Sequence, residues 1–135
     1  MINTKSEYLN PKQAINPKSE NSKQYDLEER TLLFAKAVNI YVNRLPKTTP
    51  NIENGKQLVR SAGSIGANYI EANEALGKKD FLMRIKISRK EAKESRFWLN
   101  LTTPYPDGAK DKEILVQEST ELMNICGAIY RKCMG

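Results

Sequence analysis

Apolar residues recur at alternating four- and three-residue spacings in four separate stretches of this chain. That is the period of a helix presenting one stripe to a core. The first stripe is Leu27, Thr31, Phe34, Val38, Tyr41 and Leu45. Asp26, Glu28 and Glu29 open it, where the helix macrodipole favours acids, and Pro46 stops it. Lys47 to Thr49 form a short connection, with Thr49 the expected N-cap and Pro50 a first-turn residue. The second stripe is Leu58, Ala62, Ile65, Tyr69, Ala72 and Leu76, and Gly77 is expected to end that helix. The third, between Lys79 and Leu101, is Phe81, Ile85, Ser88, Ala92, Ser95 and Leu99. Thr102 to Gly108, with Pro104 and Pro106, breaks the pattern. The fourth, Lys110 to Cys133, is Leu115, Ser119, Leu122, Cys126, Ile129 and Cys133.

No segment alternates as a strand. The expected fold is therefore all-α, an antiparallel up-down-up-down four-helix bundle over residues 26–135. Residues 1–25 are rich in Asn, Lys, Ser and Pro, and read as a flexible tail.

Arg60 to Ala75, RSAGSIGANYIEANEA, is unusually rich in small residues for a helix. Gly63 and Gly66 each cost about 1 kcal/mol relative to Ala in a helix interior. With Ser61, Ala62, Ser64 and Ala67 they suggest close approach of another backbone. The third stripe is also small at its centre, so the expected neighbour of both glycines is the third helix, near Ser88 and Ala92. Asn68 and Glu71, three apart, read as a ligand contact or as a hydrogen-bonded structural pair near Ser88 or Ser95; the structural pair is favoured.

Charge sharpens the picture at one place. The 135-residue chain carries a net +6, and Lys78 to Trp98 alone hold eight basic and three acidic residues. On a helical projection Lys79, Lys86, Arg89, Lys90 and Lys93 fall on one flank of the third helix, with Arg96 at the core margin. Asp80, Glu91 and Glu94 fall on the opposite flank with Ile87 and Trp98. The pairs Lys86/Lys90 and Arg89/Lys93 place like charges four apart, which costs a few tenths of a kcal/mol each. Folding does not ask for that arrangement. A polyanion is one explanation, a neighbouring subunit's acids another, and a solvated face a third.

Other chemistry is thinly represented. The chain has no His, which removes Ser-His and Cys-His nucleophile pairs and Glu-x-x-His metal ligands. No metal or cofactor is expected, and nothing suggests an enzyme. Cys126 and Cys133, about 10 Å apart along a helix, are too far for a disulfide and read as small core residues in a reducing compartment. No apolar run reaches a membrane span, and no signal peptide is visible, so the expected location is cytoplasmic.

The run Arg60 to Ala72 resembles the second-helix motif of the 23S rRNA-intervening-sequence proteins. Lys79 to Phe81, Ile87 to Ser95, Phe97 to Leu99, Asp26 to Ala35 and Leu45 to Lys47 fit the same family, covering about residues 25–133. The resemblance implies a bacterial four-helix bundle of unknown function that assembles as a homopentamer. A related branch, the accessory variability proteins of diversity-generating retroelements, forms basic pentameric barrels that bind nucleic acid and a reverse transcriptase. The resemblance therefore implies RNA or DNA, and a reverse transcriptase, as partners.

The leading expectation is a non-enzymatic oligomer binding RNA or DNA through Lys79, Lys86, Arg89, Lys90, Lys93 and Arg96. Its subunit contact is expected at Ile87, Glu91, Glu94 and Trp98. The alternative is an oligomeric adaptor for another protein, with the basic flank used between subunits.

Overall fold

The computed structural model describes residues 26–135. The tail expected at residues 1–25 lies outside the described residues. Four antiparallel helices follow in order: α1 Asp26–Asn43, α2 Thr49–Asn73, α3 Lys78–Leu101 and α4 Ala109–Met134. A single 3₁₀ turn, Pro106–Gly108, precedes α4. No strand occurs among the described residues. The expected stripes become the core: Phe34, Val38, Leu58, Ile65, Ile85, Leu99, Leu115 and Leu122 are fully buried. Among the described residues, no helix is long and apolar enough to cross a membrane.

Helix ends depart from expectation in instructive ways. Thr48, not Thr49, caps α2, its hydroxyl accepting the Asn51 N–H at 3.3 Å. The α2 C-terminus comes at Asn73, earlier than the apolar spacing suggested. Gly77 does not close α2; it is the N-cap of α3, and its carbonyl accepts the Phe81 N–H at 3.0 Å. Leu76, expected in the core, falls in the connection and is fully exposed. Cys133, in the last turn of α4, is likewise exposed, while Cys126 is buried. Burial pushes the Cys126 thiol up to about 11, against the opposing field of Arg89. It therefore stays protonated at neutral pH.

The close approach between α2 and α3 is real, but serines and alanines make it. Ala62, Ile65 and Ala92 are buried between the two helices with Ser61, Ser88 and Ser95. The Ser88 hydroxyl donates to the Ile65 carbonyl at 2.9 Å, and the Ser61 and Ser95 hydroxyls meet at 2.9 Å. The two glycines are not part of this seam, contrary to expectation. Gly66 faces Thr31 on α1, where an added Cβ would lie 2.7 Å from the Thr31 hydroxyl oxygen. A Cβ on Gly63 would meet nothing within 4 Å.

Opposite outcomes therefore follow from the same change at neighbouring positions. Gly63→Ala should stabilise the protein by up to about 1 kcal/mol through helix propensity alone. Gly66→Ala should destabilise it by about 1–3 kcal/mol through overpacking against Thr31. Urea midpoints of the two variants and the parent check both. Equal shifts would show that Gly66 is not needed for the α1–α2 approach.

One end of the bundle is tied by polar side chains. Asn51, buried at the start of α2, donates through Nδ2 to the Pro46 carbonyl at 3.0 Å and to the Thr103 carbonyl at 2.9 Å. Its Oδ1 accepts the Thr103 N–H at 2.9 Å. Beside it, the Tyr41 and Thr102 hydroxyls meet at 2.7 Å. The α1–α2 and α3–α4 connections are thereby joined to each other.

Candidate functional site

The third helix sorts its charges between two neighbours. Its acidic flank faces α2, where Glu91 and Glu94 both accept hydrogen bonds from the Arg60 guanidinium at 3.2 Å. Arg84, on that same side, donates to the Asn68 Oδ1 at 3.0 Å. Asn68 in turn donates to the Ser64 carbonyl and hydroxyl at 2.9 and 3.0 Å. Glu71 is exposed. The Asn68–Glu71 pair expected from the sequence is thus replaced by Asn68 with Arg84, because Asn68 turns toward α3 while Glu71 turns to solvent.

The basic flank leans toward α4 at its inner edge and is open at its outer edge. Arg96 donates to the Thr120 hydroxyl at 3.2 Å. Lys86 Nζ lies 5.8 Å from the centre of the Tyr130 ring, a cation–π contact. A side chain at Gly127 would begin 3.4 Å from both Arg89 Nε and Arg131 Nη1, so these guanidiniums share the space that glycine leaves on α4. Lys79, Lys90 and Lys93 are exposed, and no ion pair joins them to any other described residue. Met83, Lys86, Ile87, Arg89, Lys90 and Lys93 line an open groove of about 410 Å³. The groove has an apolar floor and a cationic rim, with no carboxylate in its lining. Its chemistry suits an anion with an apolar portion.

Of the residues expected at a subunit contact, Glu91 and Glu94 are already engaged by Arg60. Ile87 belongs to the floor of the basic groove. Trp98 packs against the main core of its own chain, with its indole N–H buried and without a partner among the described residues. Phe97, which the sequence reading passed over, is 55% exposed and sits edge-on to Trp98, ring centres 5.0 Å apart.

Sequence reading also missed Arg30. Its guanidinium grips the fully buried Glu118 at 2.6 and 2.9 Å and reaches Glu121 at 2.8 Å. Arg60 with Glu91 and Glu94 repeats the arrangement on the other side of the bundle. Each arginine meets two glutamates three apart on the facing helix, a spacing the sequence shows without showing which arginine it meets. Among the described residues no group of His, Cys, Asp or Glu is arranged to hold a metal ion.

The architecture and its one-sided charge define a small helical bundle with a basic outer helix. The chain belongs to the 23S rRNA-intervening sequence protein family, whose profile matches residues 23–130. A crystal structure of a protein of unknown function from the S23 ribosomal protein family of Bacteroides thetaiotaomicron is 31% identical. That similarity covers 76% of this chain and 96% of the other, with a TM-score of 0.63. None of the curated proteins compared with the chain is similar to it.

Proposed function

We propose that the protein is a non-enzymatic, oligomeric cytoplasmic bundle that binds RNA or DNA through the outer side of α3. The observation that carries this reading is the division of charge on that helix. Its acids Glu91 and Glu94 are satisfied within the chain by Arg60. Lys79, Lys90 and Lys93 are left without acidic partners among the described residues, beside Lys86 and Arg89. A helix that keeps several uncompensated cations on one side suits a polyanion, whose binding releases counterions and is mainly electrostatic. The family's name, which refers to a sequence within ribosomal RNA genes, fits this reading without requiring it.

The reading with the basic flank between subunits is weaker. A neighbour's lysines would have to compete with Arg60 for Glu91 and Glu94, and that guanidinium already bonds both. Self-assembly, pentameric by family resemblance, must then use other surfaces or only part of this one. A reverse transcriptase partner rests on the resemblance alone.

Changing Lys86, Lys90 and Lys93 together to Gln should leave the fold intact. Affinity for RNA or DNA should fall similarly across sequences. The slope of log affinity against log salt should shrink by roughly 0.7–0.9 for each phosphate that is no longer neutralised. Titrations at several salt concentrations, with light scattering on the same variant, check this. A lower oligomeric mass with unchanged nucleic-acid binding would favour the subunit-contact reading instead.

A further inference from the structure

We infer that the outer side of α3 binds single-stranded rather than duplex nucleic acid, with Phe97 as a platform on which an unpaired base stacks. This rests on the proposed nucleic-acid reading and makes it more specific. Phe97 is an apolar ring standing 55% exposed on the side of α3 that carries the lysine row, with Met83 and Leu101 the other large apolar residues exposed on that helix. At about 100° per residue, Phe97 lies within about 40° of Lys86, Lys90 and Lys93 around the helix axis. Along the axis those three lysines precede it by roughly 16, 10 and 6 Å. The aromatic ring is thus in line with the cations, at one end of their row.

The ring is also held in place. Trp98, anchored against the core, meets it edge-on at an interplanar angle of 76°. A T-shaped contact with one neighbour engages at most one face of the Phe97 ring, and the half-exposed ring keeps the other for a planar partner. At the other end of the row, Met83 is 48% exposed and lines the groove floor with Ile87. Cations spaced along a track, with apolar surface beside them and an aromatic ring at one end, suit a strand with unstacked bases. A duplex could use only the cations, because its base faces are already stacked inside the helix.

The test compares a labelled oligouridylate, an oligothymidylate and a duplex of equal length by fluorescence anisotropy at one salt concentration. The parent protein should bind both single strands more tightly than the duplex. Phe97→Ala should lower single-strand affinity at least about fivefold while leaving duplex affinity unchanged. Phe97→Tyr should keep the parent's preference, since a face remains. The Lys86, Lys90 and Lys93 triple variant should weaken single strand and duplex alike. Equal binding of single strand and duplex by the parent, unaffected by Phe97→Ala, would overturn the inference and leave the electrostatic reading standing. Failure of the parent to bind any of the three probes would overturn both. A fall in oligomeric mass on Phe97→Ala, read by light scattering, would also overturn it, by making Phe97 a contact between copies of the chain.

Discussion

Replacing Arg30 with Ala should cost about 3–5 kcal/mol, the range for removing one partner of a buried ion pair. Glu118 is fully buried, and its two carboxylate oxygens are held by Arg30 at 2.6 and 2.9 Å. Without the guanidinium the carboxylate keeps its desolvation cost and loses its counter-charge. The hydrogen bond to Glu118 is also what most raises the Arg30 pKa. For a domain of this size the loss should lower the melting temperature by more than about 10 °C. The double change Arg30→Met with Glu118→Leu should recover most of it, because replacing both members by apolar groups is often close to neutral. Glu121 can stay in either background, since its side chain is 30% exposed and water can serve it. Thermal melts of the single and double variants decide the matter. A single variant that melts with the parent would show that the buried carboxylate does not depend on Arg30.

The second large effect is expected at Asn51. Asn51→Ala removes three hydrogen bonds and leaves both polar groups of the Thr103 backbone without their partner, while the Pro46 carbonyl keeps only the Thr48 N–H at 2.9 Å. Thr103 itself is exposed, so water can replace part of what is lost. We expect a cost of about 2–4 kcal/mol, at one to three for each group left unsatisfied in a buried setting. Asn51→Asp should be at least as damaging, because a carboxylate cannot donate and would face two carbonyl oxygens. Urea unfolding of both variants gives the comparison. If Asp were tolerated and Ala were not, packing volume rather than amide donation would be the contribution of this side chain.

Most of the fold was legible because one physical rule generates it. A helix packed on one side must repeat its apolar residues near every 3.6 positions, and the stripes through Phe34, Leu58, Ile85 and Leu122 do so. Local ends were less legible. Gly77 fits the end of one helix and the start of the next equally well by residue type, and only the Phe81 hydrogen bond decides. Long-range polar partners were not legible at all. Arg30 and Glu118 are 88 residues apart, and nothing in a single sequence pairs them. Asn51 looks like an ordinary residue of a helix start until the second connection is brought beside it. The basic flank was visible from composition and periodicity. That Arg60 takes its opposing acids required the packing of α2 against α3, and that Phe97 stays half exposed in line with the lysines required the packed bundle.

The serines between α2 and α3 have a consequence for aim. Apolar contacts are indifferent to direction, so a purely greasy seam would let a helix roll about its own axis at little cost. Hydrogen bonds are not, since they weaken steeply away from linearity. The Ser88 bond to Ile65 and the Ser61–Ser95 bond therefore act as an angular index for α3. A slip of one residue turns the helix by about 100°, enough to carry the lysine row from solvent toward a neighbouring helix. The hydroxyl seam, on the hidden side of α3, determines which way its charged side points.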